Sequence, residues 1–179
     1  IEIDADQAFG TAHHATTLGC LLVLDELAKW GRPNLVLDVG TGTGVLAIAA
    51  ALAFDRAVIA TDNDPVAVEI ARQNAAKASI SQSVHAFVAN GLSHPKLRRL
   101  TPNLIVANIL ARPLYGLAPD MARIIMPGGY VLLSGITESQ ARAVTARYVS
   151  LGFVLEKQIL LDGWATLLLG CRSASILFD

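Results

Sequence analysis

The stretch from Leu35 to Pro65, LVLDVGTGTGVLAIAAALAFDRAVIATDNDP, restricts the fold more than any other part of the chain. Leu35-Val36-Leu37 is a short apolar run of strand-forming residues, and Asp38-Val39-Gly40-Thr41-Gly42-Thr43-Gly44 follows at once. Glycines at 40, 42 and 44 permit a tight reversal and bring a ligand against bare backbone, while a helix from Val45 to about Phe54 directs its first amides toward the same place. Ala57 to Thr61 reads as a second strand, and Asp62 stands at its end, 18 residues after Gly44. That is the distance at which a carboxylate meets the ribose of a nucleotide-like ligand in a strand-turn-helix-strand unit. Asp64-Pro65 supplies an N-cap and a first-turn proline for the next helix, so Asp64 is assigned to structure and Asp62 to a ligand. Asp38 either meets an amine of that ligand or supports the turn.

The glycine spacing separates two ligand classes. A nicotinamide-binding turn of the GxGxxG type would place its third glycine at 45, where this chain has Val45. An acidic residue at the strand end followed by GxGxG resembles the first motif of the Rossmann-like S-adenosylmethionine-dependent methyltransferases. Binding residues on this reading include Gly40, Gly42 and Asp62.

The rest of the chain supplies the parts of an open α/β sheet. Residues 1–14 read as a loop, followed by a helix from Ala15 to about Lys29 with Leu18, Leu21, Leu22, Val23 and Leu27 on its inner side. The adjacent His13 and His14 lack the spacing of metal ligands on a helix, and loop hydrogen bonding accounts for them. VAVEIARQNAAK after Pro65 is an amphipathic helix, and Val84 to Val88 a third strand ending at Ala89-Asn90-Gly91. Asn90 reads equally as a contact to an adenine ring or as half of a turn dipeptide. His94 to Pro102 is a linking loop, and Asn103 to Ala107 a fourth strand expected beside the first. Asn108 emerges from that apolar strand either into the crevice shared with Gly40 and Asp62 or as the cap of the next helix. A helix over 111–126, a turn at Pro127-Gly128-Gly129, a strand over 130–134 and a helix over 137–150 follow. Strands over 153–158 and 165–170 share so short a connection that they must form an antiparallel hairpin. The expected fold class is therefore α/β: a Rossmann-like seven-stranded, mostly parallel sheet with helices on both faces and an antiparallel C-terminal hairpin.

Composition bounds the alternatives. A chain of 179 residues, 53% hydrophobic, is the size of one domain with an ample core, so residues 1–179 are read as a single unit. Fourteen basic against 15 acidic residues give a net charge of −1, which offers no overall attraction to nucleic acid; the densest basic cluster, Lys96 with Arg98 and Arg99, reads as a solvated loop. No uninterrupted apolar run reaches the roughly 18 residues a membrane-spanning helix needs. The start, IEIDADQAFG, lacks the basic-then-apolar form of a secretory signal, which points to the cytoplasm. Cys20 and Cys171 sit in apolar contexts without metal-like spacing and are assigned to the core, and no metal centre is expected.

Several ordered motifs together are more specific than the turn alone. AFGT at 8–11, HHATT at 13–17, LDVGTGTGVLAIAA, ATDNDPVAVEIARQNA, LIVANIL and PGGYVLLSGI resemble the PrmA family over roughly residues 5–170. The resemblance implies transfer of methyl groups from S-adenosylmethionine to lysine ε-amines and an N-terminal α-amine of the eleventh protein of the large ribosomal subunit. It also implies donor-binding roles for Thr17, Gly40, Asp62 and Asn108, and places Phe9 and Thr11 in the same signature. Asn108 is the expected catalytic residue, its side-chain carbonyl accepting a hydrogen bond from the acceptor amine. Two departures stand out: Ala12 occupies a family glycine position, and the family's smaller N-terminal substrate-presenting domain has no counterpart here, so a fragment of a longer protein is expected. The alternatives are a methyltransferase with another protein or small-molecule acceptor, a nicotinamide oxidoreductase, and a donor-binding domain inactive without its substrate domain. The oligomeric state is left open.

Overall fold

A computed structural model describes residues 13–31 and 33–172. The apolar runs form the strands β1 (Val36–Val39), β2 (Val58–Asp62), β3 (Val84–Val88), β4 (Leu104–Asn108), β5 (Tyr130–Thr137), β6 (Phe153–Leu161) and β7 (Trp164–Cys171). Between them lie α1 (His13–Trp30), α2 (Val45–Phe54), α3 (Pro65–Lys77), α4 (Ala111–Ile124) and α5 (Glu138–Val149). One sheet contains all seven strands in the order β3-β2-β1-β4-β5-β7-β6. The first five in sequence pair in parallel, and β7 runs antiparallel to both β5 and β6. This is the expected Rossmann-like α/β architecture.

The alternation of side chains along each strand divides the core in two. Val36, Val58, Leu104, Val106, Leu132 and Leu168 point to the side covered by α1, α2 and α3. Leu37, Val39, Ile105, Ala107, Leu133 and Leu167 point to the side covered by α4 and α5. Strands buried on both faces must be apolar at nearly every position, which is why β1 and β4 read as continuous runs rather than alternating ones. After β3 the chain returns to the far side of β1, so strand order reverses between β1 and β4. Loops leaving the carboxyl ends of these strands diverge there and open a crevice.

Element ends shift by one to three residues from the sequence reading, and three differences carry meaning. The last two strands are longer than expected and meet at Asp162 and Gly163, both at positive φ (49° and 78°), a two-residue turn whose twist suits a hairpin. Helix α1 begins at His13, so His13 and His14 belong to its first turn rather than to a loop. The inner side of α1 is Ala15, Cys20, Val23, Leu24 and Leu27, whereas Leu18 and Leu22 are 50% and 47% exposed, against expectation. Gly19 sets this rotation: a Cβ there would lie 2.3 Å from Thr166 Oγ1, so the bare residue lets α1 settle directly on β7. An ion pair between Glu26 and Lys157 ties the same helix to β6.

Cys20 is buried and Cys171 half-buried, both as free thiols, and burial pushes the Cys20 thiol up to about 12. Lys96, Arg98 and Arg99 are exposed around a buried Leu97, as a solvated loop should be. Among the described residues no helix is long and apolar enough to cross a membrane, and no cluster of potential metal ligands forms.

Candidate active site

Asp38, the third residue of β1, points to the α2 side and is 2% exposed. Its Oδ2 accepts from Thr41 Oγ1 at 2.6 Å, and the carboxylate also takes the Ala47 backbone amide in the first turn of α2. Burial raises its pKa to about 6; these two hydrogen bonds pull it down, and the charge of Asp62 adds to the rise. These bonds give Asp38 a structural role, joining the glycine turn to the start of α2.

The turn itself differs from expectation in one respect. Gly40, Gly42 and Gly44 have φ of 73°, 54° and 84°, the left-handed region that glycine enters without strain. Their amides, however, are largely engaged within the protein. Gly40 and Thr41 donate to the Thr61 carbonyl at 2.8 and 2.9 Å, and Gly44 donates to the Thr41 carbonyl at 2.9 Å. Gly42 donates to Asp62 Oδ2 at 2.9 Å. The turn is thus built against the end of β2 rather than left with bare donors. The glycines also differ in what surrounds them. A Cβ on Gly44 would meet Ala71 of α3 at 2.9–3.0 Å, and one on Gly40 would meet Ile109 Cγ2 at 2.4 Å, whereas one on Gly42 meets none of the described residues within 4 Å.

Asp62 is not free of protein contacts either. Its Oδ1 accepts from the Asp64 amide at 3.0 Å, and its Oδ2 from Gly42 as above. Each carboxylate oxygen keeps a second acceptor site, and the two backbone bonds fix the group's direction. Asp64 caps α3 as expected, its Oδ1 accepting from the Val66 amide at 2.8 Å. Beside Asp62 lies a cavity of about 400 Å³ at the carboxyl ends of β1, β2 and β3, walled by Val39, Gly40, Thr61, Asp62, Asn63, Ala89, Asn90, Gly91, Ile109, Pro113, Gly116 and Leu117. Gly40, Asp62 and Asn90, far apart in sequence, therefore share one wall. Asn90 lines this cavity, and its carbonyl accepts from Ser93 Oγ at 2.8 Å in a turn.

Asn108 lies on the other side of the crevice rim. Parallel register between β1 and β4 pairs Asp38 with Val106, which carries Asn108 level with Gly40. Its side chain points toward α1, where Nδ2 donates to Thr16 Oγ1 at 3.3 Å and to Thr17 Oγ1 at 3.5 Å. Its Oδ1 is buried and has no hydrogen-bond partner among the described residues. A buried acceptor left so costs about 1–3 kcal/mol. The capping alternative fails, because the N-cap of α4 is Leu110 and no side chain caps it. The next residue, Ile109, reaches the cavity wall and covers Gly40, while its backbone crosses Gly135.

Asn108 thus meets Thr17 at a level with Gly40, and Gly40, Asp62 and Asn90 line the cavity. Phe9, Thr11 and Ala12 lie outside the described residues, as do the side chains of His13 and His14. Thr16, Ile109 and Gly135 escaped the sequence reading. The only local signal was Gly135 inside an otherwise apolar strand, the usual mark of a bulge or a close backbone approach.

A family model described as ribosomal protein L11 methyltransferase (PrmA) matches residues 1–171. A protein of that name from Bradyrhizobium diazoefficiens is 50% identical over 170 residues, covering 94% of this chain and 58% of the relative. One from Brucella suis is 46% identical over 168 residues, covering 93% and 59%. The chain therefore spans less than two thirds of the length of these relatives. Among solved structures, a ribosomal protein L11 methylase from Lactobacillus delbrueckii subsp. bulgaricus superposes with a TM-score of 0.79 at 29% identity, covering 87% of this chain and 79% of that one.

Proposed function

The chain belongs to the ribosomal protein L11 methyltransferase family, and from that premise we propose that it binds S-adenosylmethionine and transfers its methyl group to amines of a large-subunit ribosomal protein. The observation that carries this reading is the single cavity wall shared by Gly40, Asp62 and Asn90 at the point where strand order reverses. The residues fit the donor. Asp62, directed by two backbone amides, accepts from the ribose hydroxyls, and Asn90 lies where an adenine edge would run between Ala89, Ile109 and Leu117. The Asn108 carbonyl, without a partner among the described residues, provides a further acceptor beside Gly40.

When bound, the donor supplies an electrophilic methyl group on sulfur, so the protein's contribution is alignment and control of the acceptor's proton. A lysine ammonium with a pKa of about 10.4 costs roughly 4.6 kcal/mol to deprotonate at pH 7, and an α-amine near 8 about 1.4 kcal/mol. Moving the ammonium into the crevice disfavours its charged form. Asn108 Oδ1 accepts one N–H of the neutral amine and so directs its lone pair. Lysine ε-amines and an N-terminal α-amine are the proposed acceptors, and residues 1–179 are read as the donor-binding catalytic unit, acting in the cytoplasm without nucleic acid or membrane as a partner.

Mass spectrometry of the ribosomal protein after incubation with the chain and donor tests this. Mass gains in steps of one methyl group, lowered at least tenfold by Asn108→Ala at saturating donor, are expected. No mass gain together with no donor binding would overturn the proposal; donor binding without transfer would favour a donor-binding unit that needs a further domain.

A further inference from the structure

A band of polar groups lies buried beneath α1, in a layer made mostly of apolar side chains. Thr16, Ser134 and Thr166 are 1%, 0% and 3% exposed. Ser134 Oγ lies 2.9 Å from Thr166 Oγ1, 3.1 Å from the Ala165 carbonyl and 3.4 Å from the Thr16 carbonyl. Parallel register places Ser134 beside Asn108 on the neighbouring strand, so one residue of α1, Thr16, stands over both. Its carbonyl faces Ser134 and its Oγ1 faces Asn108 Nδ2. Gly19, one turn along, brings the helix close enough for these contacts.

Burying three hydroxyls costs free energy unless each is hydrogen-bonded, and a layer of aliphatic residues would fill the space without that requirement. What the hydroxyls provide is direction. A carboxamide presents two donors on one side and an acceptor on the other, and turning it over exchanges them. With Nδ2 occupied by Thr16 and Thr17, the carbonyl of Asn108 faces away from α1 and has no partner among the described residues. Thr17, half-buried at the rim at 3.5 Å, makes the longer of the two contacts, whereas Thr16 is buried and tied into the sheet.

We infer that Thr16 is a positioning residue: anchored by Ser134 and Thr166, it holds the Asn108 carboxamide in the one orientation that offers its carbonyl to an N–H donor. This rests on the proposal that Asn108 Oδ1 receives the acceptor amine, and it adds a residue that touches neither donor nor acceptor. Substitution of Thr16 acts through Asn108 and therefore depends on Asn108 being present.

The test uses the full chain labelled with 15N at asparagine, without ligand, the Asn108 signal being assigned by its loss in Asn108→Ala. In the wild-type chain the Nδ2 protons are expected to show nuclear Overhauser contacts to the Thr16 side chain. Their absence overturns the inference without recourse to any variant. Thr16→Val is expected to speed exchange of these protons with water about tenfold, the factor for losing one such hydrogen bond, and Thr16→Ser to keep it within about twofold. Unchanged exchange in Thr16→Val, or equal acceleration in Thr16→Ser, overturns it. In methyl transfer, Thr16→Val is expected to lower kcat about tenfold with Asn108 present and less than about twofold in the Asn108→Ala background. Equal losses in the two backgrounds mean a merely structural role and overturn it. A wild-type chain that neither binds donor nor transfers methyl refutes the function proposed above, and the proton exchange then decides the role of Thr16 alone.

Discussion

Asp38→Asn separates an electrostatic cost from a packing change at the centre of the fold. The carboxyl is 2% exposed, and burial raises its pKa from 3.8 to about 6. Because the folded chain holds this proton more tightly than the unfolded chain, it carries the extra proton between these values, and stability falls as pH rises through the window. The rise corresponds to about 3 kcal/mol over the whole span. Roughly 2 kcal/mol of that falls between pH 4 and pH 7. An asparagine does not titrate, so the stability of Asp38→Asn minus that of wild type should climb by this amount from pH 4 to pH 7. The constant offset from altered bonds to Thr41 and Ala47 does not affect this slope. Urea denaturation of both proteins at half-unit pH steps measures it directly. A difference that stays flat with pH would refute the reasoning, since Asp38 would then titrate alike in the folded and unfolded chains.

Three further substitutions probe the site and its support. Asp62→Ala is expected to weaken binding of S-adenosylhomocysteine at least tenfold by calorimetry, and unchanged affinity would remove Asp62 from the ribose site. Asp64→Ala, two residues away, removes only a helix cap: about 1 kcal/mol of stability should be lost with donor affinity unaltered, checked by the same two assays. Gly135→Ala places a Cβ 2.5–2.9 Å from the backbone O, C and N of Ile109 at a φ of 80°, in contacts that no side-chain rotation relieves. A loss of roughly 3 kcal/mol in urea denaturation is expected, and a loss below about 1 kcal/mol would contradict the close packing of the Asn108–Leu110 loop on β5.

The architecture was readable because each of its parts leaves a local mark. Parallel strands covered on both sides are apolar throughout, the first crossover begins with glycines at three left-handed positions, and a connection as short as Asp162-Gly163 can only reverse the chain. Even Pro119, inside α4, did not hide that helix, because the apolar stripe through Leu114, Ala118 and Met121 continues past it. Helix α1 was harder. Its run from Leu18 to Leu27 is apolar on most sides, so periodicity alone assigned Leu18 and Leu22 to the inside, whereas the close approach of Gly19 to Thr166 and the Glu26–Lys157 ion pair set its rotation. The candidate site divides in the same way. Asp62 and Gly40 were marked by spacing within one strand-turn-helix-strand unit. That the turn's amides bond to Thr61 and Asp62 instead of facing outward depends on how two strands lie side by side, which spacing does not record. The bonds from Asn108 to Thr16 and Thr17 join residues 92 and 91 positions apart, beyond the reach of any local pattern.

The structure of the chain with S-adenosylhomocysteine bound tests the central claim most directly. The ribose hydroxyls are expected within hydrogen-bonding distance of the Asp62 carboxylate, with the adenine in the cavity beside Asn90 and the sulfur toward Asn108. A ligand seated elsewhere, for example in the aromatic pocket of Trp30 and Tyr130 at the opposite end of the strands, would contradict it, as would a ligand turned so that Asp62 meets no ribose oxygen.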